Sequence, residues 1–173
     1  GFGHSEAHLD TSVLQSSLAM LQALLTKISQ LIHHKELDGS GAAVELLCCW
    51  GAVDEAWGML LSHPDVSVIN KIVNGAVNLV GRTVPPVVAR NSIIVLHSFT
   101  VEPRGRAFLR SQHLQNVRAM LGGLLLHTQS TITTDDVTAQ IANGCLRNLR
   151  DSGEECWPRW INGLTLPREY TMP

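Results

Sequence analysis

The feature that most constrains this chain is a helical apolar stripe near its start. Between residues 12 and 34, large apolar side chains recur at alternating steps of four and three positions, the spacing of one face of an α-helix. The stripe consists of Leu14, Leu18, Leu21, Leu25, Ile28 and Ile32. Its regularity predicts a helix that buries this face in a core. A coiled-coil homodimer is the alternative, although such a dimer needs longer repetition and charged flanks, and the flanks here are Ser, Gln, Thr and Lys.

The rest of the chain continues this helical pattern. No segment shows the alternation of apolar and polar residues that predicts a β-strand. Residues 37–41 (LDGSG) are expected to form a turn after the first helix, because Gly and Asp favour turn conformations. Further helices are expected over residues 42–50, 54–63, 65–81, 85–99, 103–111, 114–125 and 133–150. With 173 residues available for one sizeable core, we predict an all-α fold.

Residues 91–150 carry the most specific pattern. A short helix that begins at Pro103, a medium helix and a long helix follow one another there. This order of helix lengths, with its apolar positions, resembles an armadillo or HEAT repeat, and residues 42–81 resemble an earlier unit less clearly. The resemblance covers roughly residues 40–150. It implies a right-handed α-solenoid of about two to three armadillo/HEAT-like repeats with about seven helices.

Two similar segments suggest where such a solenoid contacts a partner. NGAVNLV at residues 74–80 and NGCLRNL at residues 143–149 place an Asn, a small residue and a second Asn in the same order. In armadillo proteins the third helices line a concave groove, and Asn side chains there hold the backbone of an extended ligand. The resemblance therefore implies partner contacts at Asn78 and Asn148. Unlike the peptide-binding members of the family, this chain has no Trp one turn before either Asn.

Charge is unevenly distributed along the chain. Residues 1–89 carry 4 basic and 8 acidic groups (net −4), and residues 90–150 carry 7 and 3 (net +4). The remainder, from residue 151, carries 2 and 4 (net −2). The positive middle predicts a partner with an acidic segment, because opposite charges attract and guanidinium groups bind carboxylates in pairs of hydrogen bonds. The candidate contacts are Arg110, Arg118 and Arg147, together with His97; a merely solvated arginine face is the alternative.

Motifs for catalysis are absent from the sequence. It contains no G-x-S-x-G, H-E-x-x-H or P-loop pattern, and no C-x-x-C paired with a second one or with a spaced His pair. His4 and His8 stand four positions apart, which suits a metal if the segment is helical, but their flanks are Gly-rich and terminal. We predict no enzyme activity, no catalytic residue, no cofactor and no metal site. No apolar run reaches the ~18 residues of a membrane helix, so no membrane contact is expected.

These observations favour a protein–protein interaction module over residues 10–162. We expect it to be the terminal part of a larger cytoplasmic scaffold, such as a centrosomal, ciliary, cytoskeletal or trafficking protein. Residues 1–9 are predicted to be a flexible extension or an expression remnant, and residues 163–173 an extended or disordered tail. Either a monomer or a homodimer fits the sequence.

A helical repeat that binds nucleic acid is the second functional interpretation. It would use the arginines clustered between residues 82 and 118. The net charge of −2 argues against this interpretation, as does the absence of aromatic residues interleaved with the arginines.

Overall fold

The chain folds into α-helices. The computed structural model describes residues 4–128 and 136–150, with side chains for 12–126 and 137–150. Those residues form eight helices and no strand, which confirms the all-α prediction. The number equals that of the helices expected from the apolar pattern and exceeds by one the about seven that the repeat resemblance implied. The helices are α1 (His4–Leu31), α2 (Leu37–Gly51), α3 (Asp54–Leu61), α4 (Val66–Val80), α5 (Pro86–Val101), α6 (Pro103–Gln112), α7 (Leu114–Thr128) and α8 (Asp136–Arg150).

The bounds of the first two helices differ from the prediction. α1 begins inside residues 1–9, the segment expected to be flexible, while the expected tail at residues 163–173 lies outside the described residues. Residues 37–41, predicted to be a turn, form the start of α2 instead. The Ser40 hydroxyl supports this start by donating to the carbonyl of Glu36 or Leu37, each at 3.4 Å. The glycines that suggested a turn therefore lie inside a helix.

Helices that follow one another along the chain form contacting pairs. α1 packs against α2, α4 against α5, and α7 against α8. Neighbouring pairs meet in two rows: α4 lies between α1 and α7, and α5 lies between α2 and α8. The short helices α3 and α6 each lead into the next pair. The result is three helical units side by side, with one row of α1, α4 and α7 and a second row of α2, α5 and α8.

Helix α5 runs through the centre of this arrangement. Every residue from 92 to 100 is buried, and α5 contacts α2, α4, α6 and α8. Pro85 and Pro86 begin the helix without loss of an intrahelical hydrogen bond, because the first-turn N–H groups have no partner in the helix. Of these nine buried residues, five are apolar, and Ser92, His97, Ser98 and Thr100 are polar.

A row of aromatic rings joins the short helices to the core. The Trp57 ring of α3 meets the Phe99 ring of α5 edge to face, with centroids 4.7 Å apart. Phe99 stacks on Phe108 of α6 at 6.5 Å, and Phe108 lies 5.4 Å from the His113 ring. Such pairs contribute roughly 0.5–1.5 kcal/mol beyond the area that they bury. These ring contacts therefore hold α3 and α6 against α5.

The apolar stripe of α1 is buried over only part of its length. Leu25, Ile28 and Ile32 are in the core, as predicted. Leu14 and Leu18 of the same stripe are 69% and 42% exposed. The side chains of residues 12–20 are all exposed, so this part of α1 extends past the described helices that pack on its C-terminal half.

Candidate binding cleft

A cleft of about 780 Å³ opens between the C-terminal halves of α4 and α7, beside the end of α1. This volume is within the range of known ligand-binding pockets, roughly 300–1,000 Å³. Its lining is mostly apolar and includes a few polar side chains near one end. The lining residues are Ile32, His33, Gly75, Val77, Asn78, Leu79, Val80, Gly81, Arg82, Ala119, Met120, Gly123 and Leu124.

Glycines set the different spacings on the two sides of α4. On the α1 side, a Cβ at Gly75 would lie 2.5 Å from Cγ2 of Ile32, so these two helices pack closely only because residue 75 has no side chain. On the α7 side, a Cβ at Gly123 would meet no atom within 4 Å. The absence of a side chain at Gly75 therefore lets α4 pack close to α1. The absence of a side chain at Gly123 leaves open space between α4 and α7, and this space is the cleft.

Backbone contacts connect three basic residues around the junction of α1 and α4, and of these Arg82 lines the cleft. The His33 ring donates from Nε2 to the Lys71 carbonyl at 2.9 Å. The Arg82 guanidinium donates to the Lys35 carbonyl at 3.3 Å. Lys35, Lys71 and Arg82 are exposed, and none of the three makes an ion pair within the described part of the chain. We call Lys35, Lys71 and Arg82 the basic cluster.

Sequence reasoning did not identify this cluster as a site. Residues 1–89 have a net charge of −4, yet three of their four basic residues lie around the junction of α1 and α4. One local signal was available, since Lys71 precedes Asn78 by seven positions and so shares its helix face. The approach of Lys35 to Arg82 depends on how α1 packs on α4, which no local pattern encodes.

The two predicted asparagine contacts lie in different environments. Asn78, on α4, lines the cleft, is exposed, and makes no side-chain hydrogen bond to another described residue. Asn148, on α8, is buried and donates from Nδ2 to Oγ1 of Thr100 at 3.1 Å. The two segments that looked equivalent therefore belong to different rows of helices. A partner can reach the Asn78 side chain directly, whereas Asn148 serves the packing of α8 on α5.

His97 is another predicted contact that lies in the core. It is 2% exposed in the middle of α5. Burial lowers the pKa of its imidazole from 6.5 to about 4, because the charged form loses its hydration. The neutral ring is therefore the folded form near neutral pH. This position gives His97 a role in stability and leaves no surface for a partner to contact.

The three predicted arginine contacts lie around α8 but in different environments. Arg110 donates from Nε and Nη2 to the Leu149 carbonyl at 3.3 and 3.2 Å, and from Nη2 to the Asn148 carbonyl at 3.2 Å. These bonds satisfy the last carbonyls of α8, which have no partner within the helix. Arg118, half-buried on α7, shares a smaller cavity of about 300 Å³ with Arg150. Arg147 is exposed on α8.

Two other arginines of the middle segment bond to backbone carbonyls as well. The Arg104 guanidinium donates to the Gly58 carbonyl of α3 at 3.3 Å. The Arg106 guanidinium donates to the Thr100 carbonyl at 3.4 Å. Both guanidinium groups thus bond to carbonyls of the protein itself. The nucleic-acid interpretation consequently gains no support from their positions.

The described residues show no arrangement for metal or thiol chemistry. They contain no group of three His, Cys, Asp or Glu side chains that could hold a metal ion. Burial, with the nearby Cys49 and Glu45, raises the pKa of the Cys48 thiol to about 12, and burial also raises the pKa of the Cys145 thiol. Both therefore remain protonated and poorly nucleophilic near neutral pH. Within the same part of the chain, no helix is both long enough and apolar enough to cross a membrane.

Comparisons with protein-family models, with curated protein sequences and with solved structures find no match to this chain. Its function is therefore inferred from the arrangement of helices and from the cleft.

Proposed function

We propose that this chain is an α-solenoid module that binds a segment of a partner protein in the cleft between α4 and α7. The observation that carries the proposal is the stacking of three helical units in two rows, which leaves this cleft open on the row of α1, α4 and α7. Stacked helical units of this kind form extended surfaces suited to protein binding. The armadillo/HEAT resemblance supports the same class, and it implies a cytoplasmic scaffold, with cytoskeletal structures among its expected locations.

The shape and lining of the cleft favour a protein segment. Val77, Met120 and Leu124 supply apolar surface, and Asn78 supplies an amide at the rim. The cleft is open along the helices rather than enclosed, so an extended or helical segment can enter from the side. A partner's apolar side chain buried there would contribute roughly 1.5–3 kcal/mol.

Two adjacent glycines allow a sharp test. Gly123 lines the cleft, and Gly122 lines the smaller cavity that contains Arg118. A Cβ at either position would meet no atom within 4 Å, so a phenylalanine can begin in open space at both. Gly123→Phe fills the cleft, whereas Gly122→Phe fills the cavity on the other side of α7. Proteins captured by the wild-type chain and by both variants are compared by quantitative mass spectrometry, with circular dichroism to confirm folding.

The proposal predicts partners that bind the wild type and Gly122→Phe but not Gly123→Phe. If Gly122→Phe alone loses the partners, binding takes place at the arginines of α7 and α8, as the charge pattern predicted. If both variants keep every partner, neither surface is the binding site and the proposal is wrong.

A further inference from the structure

The charges around the cleft indicate the chemistry of the segment that binds there. Lys35, Lys71 and Arg82 are exposed and form no ion pair with another described residue. The lining contains Arg82 and no carboxylate. Asp65 acts electrostatically on Lys71, whereas no carboxylate lines the cleft beside Arg82. An acidic group of a ligand at Arg82 supplies the opposite charge that the lining lacks. The basic cluster thus provides a charge complement for carboxylates.

Polar and apolar parts of the cleft are separated in space. Arg82 follows the end of α4, and Lys71 stands seven positions before Asn78 on its helix face. Met120, Gly123 and Leu124 provide the opposite wall from α7. A ligand that fits must therefore present acidic groups toward α4 and the end of α1, and apolar groups toward α7.

We infer that the cleft binds an acidic–apolar peptide segment of another protein. Its carboxylates contact Arg82 and Lys71, and its apolar side chain packs between Val77 and Met120. This inference rests on the proposed use of the cleft. The charge pattern of the sequence predicted that an acidic partner binds the arginines of α7 and α8. The inference instead assigns this partner to the basic cluster, whose cations are exposed and lie beside apolar surface.

An anionic lipid surface also combines negative charge with apolar groups. The structure favours the peptide, because the apolar residues line a recess between two helices instead of projecting from the surface. A membrane-binding helix would expose its apolar face outward. Vesicles that contain phosphatidylserine are therefore included as a separate arm of the test.

The test is a selection of random phage-displayed dodecapeptides on the full chain. We expect the selected peptides to combine Asp or Glu with Leu, Ile or Phe. The same selection on the double variant Lys71→Glu/Arg82→Glu should enrich Lys and Arg instead, because the charge of the rim is reversed. A fluorescein-labelled copy of the best peptide should bind this variant about 10-fold or more weakly than the wild type.

Lys27→Glu is the matched control. Lys27 is the fourth basic residue of the first half and is exposed on α1. Unlike Arg82 it does not line the cleft, and unlike that of Lys71 its carbonyl accepts no hydrogen bond from the lining residue His33. Its reversal changes the net charge in the same direction, so the labelled peptide should bind this variant within about 2-fold of the wild type. An equal loss in both variants would mean that only the overall charge matters, which contradicts the inference.

The outcomes separate this inference from the proposed function. Peptides that lose binding to Gly123→Phe, but show no acidic preference and tolerate the double variant, support the cleft and overturn the inference. Peptides unaffected by Gly123→Phe overturn both. If no peptide is enriched the inference is wrong, and if phosphatidylserine vesicles then bind in its place, the ligand is a membrane surface.

Discussion

Asn148 on α8 donates a hydrogen bond to the hydroxyl of Thr100 on α5, with 3.1 Å between Nδ2 and Oγ1. Both side chains are buried. The Thr100 hydroxyl in turn donates to the His97 carbonyl at 2.7 Å. A chain of two hydrogen bonds therefore ties the last helix of one row to the central helix. This arrangement gives Asn148 a structural role, although its sequence context resembles that of a partner-binding residue.

Replacing Asn148 by Ala should lower the free energy of unfolding by about 1–3 kcal/mol, because a buried hydrogen bond is lost and Thr100 loses its donor. Urea unfolding followed by circular dichroism measures the change. Asn143→Ala is the control on the same helix, since Asn143 is exposed and its loss should change stability by roughly 0.5 kcal/mol or less. Equal effects of the two substitutions would show that the buried bond contributes little.

Gly105, at the start of α6, is close to the backbone of α5. A Cβ at this position would lie 2.6 Å from the Phe99 carbonyl oxygen, so Gly105→Ala must move one helix away from the other. We expect a loss of about 1–3 kcal/mol in the free energy of unfolding.

Gly58→Ala is the control for Gly105→Ala, because we expect it to change the stability in the opposite direction. A Cβ at Gly58 would meet no atom within 4 Å, and Ala favours a helix over Gly by roughly 1 kcal/mol. The melting temperature of Gly105→Ala should therefore lie below that of the wild type, and the melting temperature of Gly58→Ala should equal or exceed it. The close approach of α6 to α5 would be refuted if both variants moved in the same direction.

Local patterns were sufficient to predict the helices from α3 onward, whereas the bounds of α1 and α2 differed from the prediction. The starts of α4 and α6 follow from their capping residues: the Asp65 carboxylate accepts from the Ser67 N–H at 2.9 Å, and the Glu102 carboxylate accepts from the Gly105 N–H at 2.9 Å. Pro103 fits the first position of α6, where no hydrogen bond is lost. These features act within one or two helical turns, so they can be read from a few neighbouring residues.

The candidate site could not be predicted in the same way. Asn78 and Asn148 have similar neighbours in sequence, but α4 and α8 lie in different rows, and only the packing of helices distinguishes an exposed Asn from a buried one. Arg110 was predicted to bind a partner because it lies in a basic segment, but it bonds to the end of α8. The basic cluster likewise depends on contacts between residues nearly forty or more positions apart.

The burial of His97 makes stability depend on pH. Its pKa is about 4 in the folded chain and 6.5 ordinarily, so between these values the unfolded chain binds a proton that the folded chain does not. The stabilisation is complete above pH 6.5 and is lost as the pH falls toward 4. By pH 5 the loss should be about 2 kcal/mol. Urea unfolding at pH 7 and pH 5 measures it, and His97→Leu should reduce the difference; an unchanged difference in that variant would assign the effect to other groups.

The two halves of the α1 stripe should respond differently to a charge. Ile28 is 1% exposed, so Ile28→Asp buries a carboxylate without a partner and should unfold the chain at a cost of several kcal/mol. Leu18 belongs to the same stripe but is 42% exposed, so Leu18→Asp should leave the melting temperature nearly unchanged. Circular dichroism during heating measures both. Unfolding of the Leu18 variant would show that the first half of α1 is covered within its own chain.

Light scattering on the same Leu18→Asp variant tests the predicted alternative of a coiled-coil homodimer. The stretch from Thr11 to Thr26 contains no charged residue, so its helix can pair only through apolar contacts. If that pairing occurs, the wild type has the mass of a dimer, and Leu18→Asp, still folded, has the mass of a monomer. We expect a monomeric mass for both chains, because Leu25, Ile28 and Ile32 already pack inside their own domain. A wild-type dimer that the substitution dissociates would assign the exposed half of the stripe to self-association.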